Sequence, residues 1–273
     1  MTPTVRQALV QSGLVPVDAR VLLAHVLRRD RAWLLAHADD RLTREETAAF
    51  LALAGRRRDG EPVAYLTGIR EFWGLELMVT PDVLIPRPET EALVEVALSK
   101  LPDDQPRRVL DLGTGSGAIA LALAHERRRA VVVGTDRSPA ALDVARANAV
   151  RLQLANVEFI AADWYRAVPS GEWDLIAANP PYIGAGDPHL AEGDLRFEPR
   201  MALSPGAEGL AALREIVGGA RVHLAVGGWL AVEHGYDQSA AVQQLFRAAG
   251  LAEVAAIRDL AGIHRVVAGC AAI

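Results

Sequence analysis

Residues Arg107 to Ala124 read as a buried strand, a glycine turn and an apolar helix with nothing between them. The strand is Arg107-Arg108-Val109-Leu110-Asp111-Leu112, the turn is Gly113-Thr114-Gly115-Ser116-Gly117, and the helix runs from Ala118 to Ala124. This order constrains the fold strongly. A helix that follows a buried strand directly must pack back onto the sheet, and the next parallel strand then continues a right-handed crossover. The turn also has a chemical meaning. Missing side chains let the backbone approach a ligand, and the helix start offers free N–H groups. Glycine spacing alone is weak evidence, and a plain tight turn is the competing reading.

The chain after the turn keeps the same rhythm. Ala130 to Thr135 is a strand that ends in Asp136, a carboxylate placed to accept two ribose hydroxyl hydrogens. Ser138-Pro139-Ala140 starts a helix running to about Leu152, and Asn156 to Ile160 is a third strand leading into Asp163-Trp164. There the Trp can flank a purine ring and the Asp can bond its exocyclic amine; a purely structural Trp is the alternative. Glu172 is read as part of a polar turn before a strand that delivers Asn179-Pro180-Pro181-Tyr182. Ile183 to Pro205 is a long polar segment, of the kind that is functional or mobile. Ala207 to Val226 reads as a helix, Gly228 to Glu233 as a strand, and Gln238 to Ala249 as a helix. Val254 to Ile257 and Arg265 to Ala268 close the sheet as a hairpin. The expectation is an α/β, Rossmann-like doubly wound sheet, with Gly113, Asp136, Trp164 and Asn179 gathered at the C-terminal strand ends.

Asn179 to Tyr182 is unusual chemistry for a strand end. Two prolines cannot donate to a sheet ladder, so the strand stops there, and a proline holds the residue before it in extended geometry. The result is a stiff edge offering the Asn179 side chain, the Pro180 carbonyl and the Tyr182 ring. Acceptors without nearby donors suit a substrate that brings N–H groups.

The first part of the chain is different. Residues 1 to about 60 are helical, with apolar groups at helical spacing from Val17 to Leu27 and a capping box at Thr43 and Glu46. Glu61 to Gly68 breaks that pattern, and Glu71 to Thr80, punctuated by Gly74, reads as a short hairpin. The expected division is a helical domain over 1–66, a hairpin linker over 67–82 and the α/β domain over 83–273. Pro88 with Glu89 and Glu91 marks a helix start, or else a segment that lines a pocket. Hydrophobic residues make up 51% of the 273 and charged residues 23%, enough for a substantial core. A net charge of −5 argues against direct nucleic-acid binding over a wide surface. The seven histidines are scattered without ligand spacing, so no metal is expected. A single cysteine, no signal layout and no apolar run near the roughly 20 residues of a membrane span lead to the expectation of a cytoplasmic protein without a membrane partner.

These motifs resemble a known family. Asp111 to Gly117 is similar to the glycine loop of class I S-adenosylmethionine methyltransferases. Asn-Pro-Pro-Tyr is shared by enzymes that methylate planar amide or amine nitrogens, among them adenine-N6 methyltransferases of nucleic acid. Glu61 to Gly68, Ile85 to Glu91, Asp187 to Leu190, Gly193 to Pro199 and Glu233-His234-Gly235 look like the release factor glutamine methyltransferases instead. The resemblance runs from about residue 15 to the C-terminus. It implies methyl transfer from S-adenosyl-L-methionine, leaving S-adenosyl-L-homocysteine, to the amide nitrogen (N5) of the glutamine in a Gly-Gly-Gln motif. Peptide-chain release factors would be the protein substrates. It further implies that Gly113, Thr114, Gly115, Ser116, Gly117, Asp136, Asp163, Trp164 and Asn179 bind the cofactor. Asn179, Pro180, Pro181 and Tyr182 would bind the glutamine, with Asn179, Pro180 and Tyr182 catalytic. The helical domain over 1–66 would dock the substrate. A nicotinamide dehydrogenase fits less well, because Ala118 stands where its fingerprint needs a third glycine. A non-catalytic binding module would not need both a cofactor loop and an acceptor motif.

Overall fold

The computed structural model describes residues 1–103, 105–168, 173–206 and 208–272. The expected turn at Glu172 and the expected helix start at Ala207 fall outside them. The chain divides into two compact units, Met1–Ile69 with Ala191–Phe197, and Arg70–Leu190 with Glu198–Ile273.

The first unit is helical, with α1 (Val5–Gln11), α2 (Pro16–Leu27), α3 (Arg31–Ala36), α4 (Arg44–Arg58) and α5 (Val63–Thr67). The capping box forms as the sequence predicts: Glu46 N–H donates to Thr43 Oγ1, and the Glu46 carboxylate accepts from Thr43 N–H. Val5, Leu22, Leu23, Leu34, Phe50 and Leu66 make the core of this unit. Arg57 on α4 binds Asp18 at 2.7 Å and Asp194 at 2.9 Å, which anchors the returning segment Ala191–Phe197. The stretch from Glu61 to Gly68 is not simply a break. Pro62 caps α5, and Gly68, at φ 72°, ends it in the left-handed region.

A hairpin follows, with β1 (Ile69–Phe72) and β2 (Leu75–Met78). Trp73 and Gly74 both have positive φ, the geometry of a two-residue turn that matches strand twist. Then come α6 (Glu91–Lys100), β3 (Arg108–Leu112), α7 (Ala118–Glu126), β4 (Val131–Asp136), α8 (Pro139–Arg151), β5 (Val157–Ala161) and β6 (Trp173–Ala178). The chain ends with α9 (Arg200–Leu203), α10 (Ala211–Ala220), β7 (Leu224–Glu233), α11 (Ser239–Ala248), β8 (Ala252–Arg258) and β9 (His264–Cys270).

The sheet order is β5-β4-β3-β6-β7-β9-β8, parallel except for β9. The order reverses between β3 and β6, the switch point where doubly wound sheets open a crevice. The two faces of the sheet bury different sets. Val109, Leu175 and Ala177 face α6, α7 and α8, while Leu110, Ile176 and Ala178 face α10 and α11. Every residue of α7 from Ala118 to Ala124 is buried, so this helix is apolar all round.

Two expectations need correction. The segment from Ile183 to Pro205 is not a plain loop: it holds 3-10 turns at Pro188–Ala191 and Gly193–Phe197, and then α9. The helix expected up to Val226 ends at Ala220, and β7 already starts at Leu224. Gly227 turns with φ 78°, and a Cβ on Gly228 would lie 2.6 Å from the Trp173 carbonyl. The glycines therefore accommodate an irregularity within the strand rather than its beginning.

Candidate active site

Register explains why the predicted residues converge. Leu112 pairs with Thr135 on one side and Ala178 on the other, and Ala178 pairs with Val232. The next position along each strand is therefore Gly113, Asp136, Asn179 and Glu233. These four positions stand on one rung at the strand ends, Asp136 and Glu233 as the last residues of β4 and β7.

The glycine loop is built from its own backbone. Thr114 N–H donates to the Thr135 carbonyl at 2.8 Å, and Gly117 N–H to the Thr114 carbonyl at 2.8 Å. Gly117 sits at φ 85°, and a Cβ there would come within 2.9 Å of Leu121 and 3.2 Å of Ala145 and Phe159. That glycine serves close packing of helix on strand. Gly115 is different: at φ 55°, a Cβ would meet nothing within 4 Å, so its backbone faces open space. The Asp136 carboxylate accepts from Gly115 N–H at 3.0 Å and from Ser138 N–H at 2.9 Å. A Cβ on Gly113 would lie 3.4 Å from the Trp164 ring, which places that indole against the loop. Trp164 itself has φ 51°.

Below the loop lies Asp111, fully buried. Its Oδ2 accepts from the Thr114 hydroxyl at 2.6 Å and from Ala120 N–H at 3.2 Å, while Oδ1 has no hydrogen-bond partner. Burial pushes its carboxyl up to about 7, with the two hydrogen bonds opposing the shift.

A cavity of about 340 Å³ opens beside the loop. Gly113, Gly115, Asp136, Asp163, Trp164, Asn179 and Pro181 line it, together with Val83, Leu84, Pro199 and Met201. Its size falls in the range of small-molecule sites. Thr114, Ser116 and Gly117 do not line it, and neither do Pro180 and Tyr182. Thr114 and Ser116 are buried and shape the loop from behind, Ser116 through its carbonyl, which accepts from Asn148 Nδ2 at 2.9 Å. The segments around Leu84 and Pro199 are tied together by Glu198. Its buried carboxylate accepts from Arg87 and, at 3.3 Å, from Ile85 N–H.

At the mouth of β6, Asn179 donates from Nδ2 to the Thr90 hydroxyl oxygen at 3.1 Å. The Tyr182 hydroxyl donates to Glu233 Oε1 at 3.2 Å, and the Tyr182 carbonyl accepts from Gln238 Nε2 at 3.0 Å. Glu233 is buried, and burial raises its carboxyl to about 7 against the neighbouring hydroxyls of Thr90 and Tyr182 and the charge of Arg265; its Oε2 has no hydrogen-bond partner. Burial and the neighbouring Glu233 raise the Tyr182 hydroxyl, which stays protonated. Sequence reasoning gave none of these a site role: Thr90 stood inside a family motif, Glu233 inside a family motif and at a strand end, and Gln238 at a helix start. The available signal was an ionisable residue closing the apolar strand Leu230-Ala231-Val232.

Comparison with known proteins decides the family. The model described as the PrmC N-terminal domain matches residues 4–68, and the model described as the methyltransferase small domain matches residues 90–192. A release factor glutamine methyltransferase of Xylella fastidiosa (strain 9a5c) is 53% identical, covering 93% of this chain and 92% of that protein. The enzyme of the same name from Bordetella pertussis is 54% identical, over 97% of this chain and 98% of that one. The chain belongs to the release factor glutamine methyltransferase family. The family resemblance read from the sequence is borne out. Among solved structures, a methyltransferase from Pyrococcus furiosus shares the fold, with a TM-score of 0.57 at 18% identity over 80% of this chain and 98% of that one. As a release factor glutamine methyltransferase family member, the chain has a methyltransferase fold and the cavity such a fold places at its switch point. Among the described residues, no helix is long and apolar enough to cross a membrane, and no group of His, Cys, Asp and Glu is placed to hold a metal ion.

Proposed function

We propose that this protein transfers the methyl group of S-adenosyl-L-methionine to the side-chain N5 of the glutamine in the Gly-Gly-Gln motif of peptide-chain release factors. The names of the relatives support the substrate class. The observation that carries the chemistry is the Asn179–Thr90 hydrogen bond. Because Nδ2 is spent on Thr90, the Asn179 side chain offers its oxygen at the cavity edge.

The residues around the cavity fit the cofactor. Gly115 faces open space with no room lost to a side chain, and Asp136 stands at the strand end beside it. Gly113, Gly115, Asp136, Asp163 and Trp164 would hold the nucleoside part, with Thr114, Ser116 and Gly117 shaping the loop. Bound there, the sulfonium group supplies an electrophilic methyl.

The acceptor side follows from amide chemistry. An amide nitrogen is a poor nucleophile because its lone pair is delocalised into the carbonyl. Asn179 Oδ1 and the Pro180 carbonyl accept the two N–H hydrogens of the glutamine, which aims the nitrogen lone pair and favours loss of planarity. The same fixed dipoles stabilise positive charge developing on nitrogen. Pro181 and the Tyr182 ring confine the planar amide, so that orientation supplies a further part of the acceleration. No strong base is required before transfer, and the nitrogen gives up one of its two hydrogens as a proton to solvent once the methyl is on it. The division into 1–66, 67–82 and 83–273 assigns the helical region to docking the body of the release factor, away from its glutamine loop.

The test is to incubate the protein with labelled S-adenosyl-L-methionine and a release factor, then locate the label by peptide mass. Label on the Gly-Gly-Gln glutamine is expected, and none when that glutamine is replaced by alanine. Label on another residue, or transfer to adenine in nucleic acid instead, would overturn the reading.

A further inference from the structure

We propose that Thr90, Glu233 and Gln238 are positioning residues that hold Asn179 and Tyr182 in the one orientation that accepts the substrate amide. This rests on the acceptor reading above and names the residues that enforce it.

Pro180 and Pro181 have no N–H, so the backbone between Asn179 and Tyr182 cannot be pinned by donating to the sheet. The terminal amide of an Asn also turns freely, because its last torsion is broad and two-fold. An unpinned Asn179 would present Nδ2 to the substrate as readily as Oδ1, and a donor facing an N–H repels it. The platform therefore has to be fixed through side chains and carbonyls.

The structure does this at several points. Thr90, only 4% exposed, takes Asn179 Nδ2 at 3.1 Å. Among the described residues, Asn179 Nδ2 is the side-chain group bonded to the Thr90 hydroxyl. Glu233, 1% exposed, takes the Tyr182 hydroxyl at 3.2 Å. Gln238 Nε2 donates to the Tyr182 carbonyl at 3.0 Å, and Gln238 Oε1 itself accepts from Gly235 N–H at 2.9 Å. Space for this last link is specific. A Cβ on Gly209 would come within 2.4 Å of the Tyr182 carbonyl oxygen and 2.9 Å of Gln238 Nε2.

Glu233 accepts the Tyr182 hydroxyl through Oε1, and its buried Oε2 has no hydrogen-bond partner. Arg265 and Glu89 are the other charged groups whose fields reach it, the first favouring and the second disfavouring its ionised form. None of the three proposed residues lines the cavity, so each acts through Asn179 or Tyr182.

The test uses Thr90→Val, Thr90→Ser, Glu233→Gln, Tyr182→Phe and the Glu233→Gln/Tyr182→Phe double variant of the full chain. Single-turnover methylation of a release factor, KM, cofactor affinity by calorimetry and the 15N–1H side-chain amide signals of Asn179 are recorded. Thr90→Val should lower the methyl-transfer rate about tenfold, the worth of one ordinary hydrogen bond, with KM and cofactor affinity near wild type. It should also shift the Asn179 amide signals, and Thr90→Ser should recover most of the loss. Glu233→Gln and Tyr182→Phe should be non-additive, because they cut the same link. Unchanged Asn179 signals in Thr90→Val overturn the proposal whatever the activity. So does a loss confined to KM, or full additivity in the double variant, which also decides the matter if Thr90→Val does not fold. A wild-type enzyme that labels no release factor, with Asn179 signals that respond to Thr90→Val, sinks the substrate reading and leaves the positioning role in place.

Discussion

Removing the Asn179 acceptor tests the chemistry most directly. Asn179→Ala leaves β6 intact up to Ala178 and keeps both prolines, so the backbone path is unchanged. The variant has separable costs. Thr90 loses a donor and is left buried, a neutral hydrogen bond of about 0.5–1.5 kcal/mol that falls on stability. The reacting amide loses Oδ1, which matters most as its nitrogen becomes pyramidal and charged. One such transition-state partner is worth roughly 10²–10³ in rate, or about 2.7–4 kcal/mol. The rate should therefore fall far more than the fold weakens. If Asp136 and the loop hold the cofactor as proposed, cofactor affinity should fall less. Asn179→Asp separates the contributions further. It keeps an acceptor but removes the Nδ2 donor, so the Thr90 hydroxyl must turn to donate to it. That variant should be faster than Ala and slower than wild type. The assay is single-turnover transfer to a release factor at saturating cofactor, with circular dichroism as the folding control. Asp no faster than Ala, with both folded, would refute the acceptor argument. An Asn179→Ala rate within about threefold of wild type would refute it too.

Asp136→Ala removes the carboxylate that holds Gly115 N–H and faces the cavity, and cofactor affinity measured by calorimetry should drop on the order of tenfold to a hundredfold. Gly117→Ala puts a methyl 2.9 Å from Leu121 in a left-handed backbone, and denaturant unfolding should show a loss of about 1–3 kcal/mol. Asp111 has a folded value of about 7, above its ordinary 3.8, so the folded state holds that proton more tightly than the unfolded chain. Its contribution is complete below the ordinary value and fades as pH rises towards 7. Relative to Asp111→Asn, wild-type stability should fall about tenfold in folding constant per pH unit across that window. Glu233 and His234 titrate in both proteins and cancel in the comparison, and parallel pH curves would show that Asp111 is not a buried neutral acid.

The glycine-loop side of the cavity was legible because its signals are local. Gly113 to Gly117 directly joins an apolar strand to an apolar helix, and Asp136 closes the next strand. Such patterns are visible within about ten residues. The supports of the acceptor segment were not legible, because they come from far along the chain. Thr90 meets Asn179 across 89 positions, and Glu233 meets Tyr182 across 51. Nothing in the spacing of Pro88-Glu89-Thr90 distinguishes a helix start from a hydrogen-bond partner. The same locality explains the misread boundaries. Pro62 breaks one pattern and starts a short helix, so a proline seen alone says only that something ends or begins. Gly227 and Gly228 looked like the border of β7 because an irregularity inside a strand and a turn before it use the same residue.

The shared rung of β3 and β6 has a consequence for how this protein can vary. Leu112 faces Ala178 across a parallel ladder, so Gly113 and Asn179 are counted from the same ruler. Deleting one residue from β6 would draw Asn179 back by about 3.3 Å and turn its side chain to the other face of the sheet. Lengthening the connections before β6 or after Tyr182 would do neither. Tolerance to insertions should therefore switch sharply at the strand boundaries. A library of single-residue deletions would trace the edges of β3 and β6 in its survivors, and Gly113 and Asn179 would keep their spacing while the surrounding surface drifts.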